Sequence, residues 1–250
     1  MKAMIFAAGL GTRLRPLTND RPKALVEVAG KTLLEHTIDS VVAAGCTTVV
    51  VNVHHFADKV IAAIDALRRP GVDILVSDER DLLLETGGGI VAATRMLDGS
   101  EPILVHNVDI ITRGLDLRAI VDNHLASGAM ATLLVKPRDT QRYLLFDDVM
   151  KMHGWTNIAT GACRPEGLQA GELAAMRRLA FGGIHVLSPG IIEPLQVYAR
   201  QHGPAFSIMD FYIDKCHDYH FAGYEQAAPY DWLDVGKPET LAKAEALLHL

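Results

Sequence analysis

Residues 5–23 read IFAAGLGTRLRPLTNDRPK, and the fold is decided by how that stretch changes character. An apolar run from Ala3 to Ala8 stops at Gly9-Leu10-Gly11-Thr12-Arg13; Pro16 and Pro22 follow, and Lys23 comes directly after the second proline. Glycines at a strand end let backbone N–H groups approach a ligand closely and form an anion-binding nest. Arg13 and Lys23 add cationic side chains where polyphosphate charge would lie. The stretch reads as a strand ending in a cradle for a nucleoside triphosphate. A dinucleotide-binding turn would need a third glycine at Leu14, opening a helix that Pro16 and Pro22 oppose. A Walker A loop would need lysine at Thr12.

Outward from this strand, strand-like and helix-like segments alternate. Thr32 to Ala44 places Leu33, Leu34, Ile38, Val41 and Val42 on one helical face, with Gly45 as its stop. Thr47 to Val53 is a continuous β-branched run, as a strand buried on both sides should be. Helical spacing returns over Ala57 to Leu67, Gly88 to Leu97 and Leu115 to Ala126, and strands over Val72 to Val76, Ile103 to Val108 and Ala129 to Val135. The expectation is an α/β fold, a doubly wound, mostly parallel Rossmann-like sheet. Ligands of such sheets bind beyond the carboxyl ends of the strands. Gly9 to Arg13, Glu85 to Gly89 and Asn107 to Asp109 all fall at or just past such ends.

The second half is less regular. Strands are expected at Tyr143 to Phe146, Lys151 to Trp155, Ala180 to Val186 and Tyr219 to Gln226, with Thr160 to Gly171 as a loop. Helices are expected at Pro189 to Arg200 and Pro238 to Leu248. One domain over 1–250 is anticipated, with a nucleotide half to about residue 135 and a smaller sugar-side lobe from residues 136–250.

At 49% hydrophobic and 22% charged the composition is that of an ordinary globular protein. A net charge of −6 argues against a nucleic-acid partner. Apolar runs such as Val49-Val50-Val51 are strand length, and no leader-like start is visible, so no membrane association and a cytoplasmic location are expected. Cys46, Cys163 and Cys216 are three widely spaced residues, which opposes a disulfide framework or a zinc site. His54 and His55, adjacent on a strand, would point to opposite faces rather than converge on a metal.

AAGLGTRLRPLTNDRPK, residues 7–23, resembles the signature of the sugar-1-phosphate nucleotidylyltransferases, with every fixed position present. The likeness continues through ETGGGI (Glu85 to Ile90), VHNVD (Val105 to Asp109), FGGIHVLSP (Phe181 to Pro189), FSIMDFYI (Phe206 to Ile213) and WLDVGKPETL (Trp232 to Leu241). ETGGGI and GWTN (Gly154 to Asn157) are most similar to the branch that transfers uridylyl groups to N-acetylmuramate 1-phosphate.

The resemblance implies attack of a sugar 1-phosphate oxygen on the α-phosphorus of a nucleoside triphosphate, UTP first among them. It implies Arg13 on the leaving β- and γ-phosphates and Lys23 at the α-phosphate, inside a cradle of Ala8, Gly9, Gly11 and Thr12. The nucleobase is expected at Leu84 to Gly89, through the backbone of Gly87 and Gly88 and the side chains of Glu85 and Thr86. Asp109 ends an apolar strand, where a carboxylate needs a partner, and Mg2+ is the natural one. Asp234 matches the family's second metal carboxylate. Asn107, Gly183, His185 and Asp210 are expected near the sugar; for His185, a hydrogen-bonded structural histidine is an equal reading. Many members carry Glu-Lys-Pro, whose lysine holds the sugar phosphate; GWTN stands in that region, leaving Arg138, Arg142 and Lys151 as available cations among which the sequence does not choose. Other readings stay open: a guanylyl or thymidylyl transferase of the same type, or a silent regulatory subunit that binds sugar nucleotides. Oligomeric state is left open.

Overall fold

The computed structural model describes residues 1–166 and 170–249. Its centre is the Lys2–Phe6 strand, hydrogen-bonded in parallel to Thr48–Val53 on one side and to Ile103–Asn107 on the other. Asp73–Asp78 extends the first side, again in parallel. The helices between these strands, Leu33–Ala43 and Ala57–Ala66, carry the apolar faces that their spacing requires, burying Leu33, Leu34, Ile38 and Val41 from the first and Val60 and Ile64 from the second. Thr32 caps the first of them, its hydroxyl accepting from Glu35 N–H at 3.1 Å. The α/β expectation holds here as written.

Beyond Ile103–Asn107 the sheet becomes antiparallel. The long Arg177–Leu187 strand pairs with Ile103–Asn107 through Ile184–Leu187 and with Arg142–Phe146 through Arg177–Leu179. Met152–Asn157 and Ala162–Arg164 continue outward, while Ala131–Lys136 pairs with Arg177–Leu187 and, in parallel, with Phe221–Tyr224. Among the described residues, ten strands are thus joined in one sheet. The Arg177–Leu187 register slips between Phe181 and His185, where Gly183 adopts φ +75°. A side chain there would also meet Ile110 and Asn107, so both conformation and space demand glycine.

The core lies on both faces, and strand alternation divides it. Ala3, Ile5, Val49 and Val51 face one cluster, whereas Met4, Val50 and Val105 face another under the Glu85–Ala92, Ile192–His202 and Ile208–Lys215 helices. No helix among the described residues is long and apolar enough to cross a membrane.

Three local expectations are corrected. The loop anticipated at Thr160 to Gly171 contains the Ala162–Arg164 strand, paired on Met152–Asn157, and the start of the Ala170–Ala175 helix; residues 167–169 lie outside the described residues. The helix anticipated from Gly88 begins at Glu85 and takes in all three glycines. His54 and His55 lie past the end of the Thr48–Val53 strand, and His54 Nδ1 bonds the carbonyl of Glu79 at 2.7 Å.

Candidate active site

The strand order reverses at Lys2–Phe6: the chain lays Thr48–Val53 and Asp73–Asp78 to one side, then returns to place Ile103–Asn107 on the other. A crevice opens at such a switch, beyond the carboxyl ends of the strands. Register sets Phe6 opposite both Asn52 and Asn107, and all three line a cavity of about 550 Å3. That volume suits a nucleotide-sized ligand.

The glycine loop forms one wall, with Ala8, Gly9, Gly11, Thr12 and Arg13 all on the cavity. Thr18 fastens the loop by donating its hydroxyl to the Gly11 carbonyl at 2.8 Å. Among the described residues, no protein acceptor takes the N–H groups of Gly9, Leu10, Gly11, Thr12 or Arg13. Four of these residues are exposed and Gly11 is half-buried, so the groups are open to solvent, and five in succession beside a cavity form a nest that an anion can occupy.

Asn52 orders the entry to this loop. Its Oδ1 accepts from Ala7 N–H at 2.7 Å and Ala8 N–H at 3.3 Å. Its amide donates to Glu79 Oε1 at 2.9 Å, and Glu79 Oε2 accepts from Leu84 N–H at 3.3 Å. One buried polar pair therefore ties the glycine loop to the segment carrying Leu83, Glu85 and Thr86, which also line the cavity. Burial first of all raises the Glu79 carboxyl above its ordinary range. Sequence reading passed over Asn52, although it is the one amide inside an otherwise apolar and β-branched strand.

The charged groups form two pairs. Lys23 is almost wholly buried and its ammonium is paired with Asp109, both on the cavity. Arg13 approaches Asp234 at 3.8 Å, and Asp234 Oδ1 accepts from Gly236 N–H at 2.8 Å. A two-stranded ribbon joins the two aspartates: Asp231–Asp234 pairs with Ile110–Arg113, setting Asp234 opposite Ile110, and Val235 N–H donates to the Asp109 carbonyl at 2.9 Å. Carboxylates far apart in sequence are thus neighbours through register. No cluster of three or more His, Cys, Asp or Glu side chains converges among the described residues.

The remaining site expectations divide. Asn107 lines the cavity, and Gly183 lies against it, an added Cβ standing 3.0 Å from Asn107 Nδ2. Thr86 is on the cavity, but its hydroxyl is engaged by Ile208 N–H at 2.9 Å. Gly87 and Gly88 are corrected: both N–H groups donate to the Phe206 carbonyl, at 2.8 and 3.3 Å, instead of facing a base. Their missing side chains make room for the Phe206 ring and the Pro204 carbonyl. His185 follows the structural of its two readings; it is 2% exposed, its Nδ1 bonds the Tyr212 hydroxyl at 3.0 Å, and burial pushes the ring down to about 3. Asp210 lies on a second cavity and is paired with Arg164 at 2.8 Å.

A family model described as nucleotidyl transferase matches residues 2–249. The chain belongs to the nucleotidyl transferase family. This nucleotidyl transferase is 39% identical over 256 residues to the N-acetylmuramate alpha-1-phosphate uridylyltransferase of Caulobacter vibrioides, covering 98% of this chain and 96% of the relative. A protein of the same name from Neisseria meningitidis is 43% identical over 199 residues, 73% of this chain and 84% of the relative. HddC from Yersinia pseudotuberculosis, solved in complex with GMP-PN, is similar with a TM-score of 0.75 at 22% identity over 99% of both chains, a likeness of fold alone.

Proposed function

We propose that this nucleotidyl transferase moves a uridylyl group from UTP to N-acetylmuramate 1-phosphate, releasing pyrophosphate, with Mg2+ as its resident metal. The observation that carries the reading is the run of five N–H groups from Gly9 to Arg13 that have no acceptor among the described residues, sharing one cavity with Lys23 and Asp109. The two muramate-type relatives support the choice of base and sugar.

In the proposed reaction an oxygen of the sugar phosphate bonds to the α-phosphorus of UTP. The bond from that phosphorus to the α–β bridging oxygen breaks, and its electron pair leaves with pyrophosphate. A phosphate monoester near neutral pH is already largely dianionic, so the attacking oxygen needs no general base. The protein's work is to hold two polyanions together and to stabilise the charge that grows on the leaving group. The glycine-loop N–H groups and Arg13 take the β- and γ-phosphates. Lys23 takes the α-phosphate, exchanging its Asp109 partner for substrate. Leu83, Glu85 and Thr86 supply the wall against which the base is placed.

The donor set fits magnesium. Asp109 and Asp234 are hard oxygen donors whose backbones the ribbon sets side by side, and carboxylate oxygen suits an ion that keeps waters and takes substrate phosphates. When bound, the ion would supply further neutralisation of phosphate charge.

A pyrophosphate-release screen of UTP, GTP and dTTP against several sugar 1-phosphates tests the reading. UTP with N-acetylmuramate 1-phosphate should give the highest kcat/KM. A clear preference for GTP with mannose 1-phosphate would overturn the assignment of base and sugar.

A further inference from the structure

A second cavity of about 490 Å3 lies between the Arg142–Phe146 and Met152–Asn157 strands, Phe181 of the Arg177–Leu187 strand and the Ile208–Lys215 helix. Its charged lining residues are Arg138, Arg142, Arg164 and Asp210, a surplus of two positive charges in a chain whose net charge is −6. The three arginines are not equivalent. Arg164 is satisfied by Asp210 at 2.8 Å and Asp214 at 2.7 Å, and serves as wall. Arg138 and Arg142 stand exposed at the rim, and among the described residues neither is paired with a carboxylate.

Arg138 is nevertheless held in place. Its guanidinium lies over the Trp232 ring, 4.3 Å from the centroid, and one N–H donates to the Phe181 carbonyl at 3.2 Å. Trp232 is itself fixed, its indole N–H donating to the Gly182 carbonyl at 2.8 Å. A guanidinium has five N–H donors in a rigid fork, so most of Arg138's remain available for a planar, bidentate acceptor. Its anchors place the pocket beside the catalytic cavity: Trp232 shares its strand with Asp234, and Gly183, two residues beyond Phe181, touches Asn107. Lys151, the other cation offered by the sequence, is not on this cavity.

We propose that this pocket reads a carboxylate on the sugar, with Arg138 and Arg142 as the specificity-determining residues. The inference rests on the proposed function, in which the acceptor is a sugar phosphate. It adds that the favoured sugar carries a second anion, which the lactyl group of N-acetylmuramate supplies and unsubstituted hexoses lack. A carboxylate is the planar acceptor that matches the fork.

The test compares kcat/KM for N-acetylmuramate 1-phosphate and N-acetylglucosamine 1-phosphate, which differ only by the lactyl group, with UTP. Wild type, Arg138→Gln, Arg138→Lys, Arg142→Gln and the double Gln variant are measured, with circular dichroism as the folding check. Wild type should favour the carboxylated sugar, and the ratio should fall at least about tenfold in the double variant, chiefly through KM, with Arg138→Lys restoring only part of it. Equal losses on both sugars would show that the arginines hold the common phosphate or the fold, and would overturn the proposal. So would an unchanged ratio in the Arg142→Gln and double variants. If wild type shows no preference for the carboxylated sugar, the acceptor assignment itself fails and this inference falls with it. A preference that survives in the variants sinks the inference alone.

Discussion

At the residue scale, Arg13 is a cation with an exposed side chain, within the Gly9–Arg13 run of solvent-open N–H groups and loosely paired with Asp234. Its removal should spare the fold, because that side chain is more than half exposed. Arg13→Ala is expected to lower kcat at least about a hundredfold, equivalent to roughly 3 kcal/mol of lost transition-state stabilisation. Steady-state kinetics on the folded variant checks it. The aspartates make a separate prediction. Asp109→Asn and Asp234→Asn should each lower activity about a hundredfold or more and move the Mg2+ titration to higher concentration. Metal titrations of all three proteins check this, and a curve unmoved by both substitutions would remove these residues from metal binding. The positions of Arg13, Lys23 and Asp109 on one cavity were legible because each sits beside a backbone feature that sequence displays: a glycine turn, a proline, the end of an apolar run. Arg164 was not legible, since its partners Asp210 and Asp214 are 46 and 50 positions away.

At the scale of elements, the Glu85–Ala92 helix begins three residues before the Gly88 start that spacing suggested. Three glycines in a row signal a loop, because glycine weakens helices. Here each missing side chain is a contact: Gly87 against the Phe206 ring, Gly88 against the Pro204 carbonyl, and Gly89 against Glu79 Oε1. Tertiary packing offsets the poor propensity. Gly88→Ala should therefore destabilise the protein by about 1–3 kcal/mol through overpacking, since the atom it meets is backbone. Chemical denaturation would show a lower midpoint at unchanged m-value. Unaltered stability with impaired UTP binding would instead return Gly88 to the ligand. The Ile110–Arg113 and Asp231–Asp234 ribbon was likewise invisible, because no local pattern marks a pairing across so long a span of chain. That ribbon makes neighbours of Asp109 and Asp234.

For the whole molecule, alternating segments sufficed to read the parallel half of the sheet as strands joined by helices. The antiparallel half depends on one long strand changing partners at a bulge, which Gly182-Gly183 hints at without fixing. Three buried histidines brace that architecture: His106 and His124 are pushed down to about 4, and His185 to about 3, in each case first by burial. Unfolded, each titrates near 6.5, so below that pH the unfolded chain binds more protons and stability falls as pH falls. The contribution is complete above about pH 6.5 and drops by on the order of 2 kcal/mol per histidine by pH 5. Urea midpoints measured from pH 7 to pH 5 should decline accordingly, and a flat profile would contradict the burial of these rings. The central claim, direct attack of a sugar phosphate on the α-phosphorus within the glycine-loop cavity, is tested by isotope placement. With UTP and N-acetylmuramate 1-phosphate labelled with oxygen-18 throughout its phosphate, all label should appear in the nucleotide sugar and none in pyrophosphate. Label in pyrophosphate, or pyrophosphate released without any sugar phosphate present, would contradict the account.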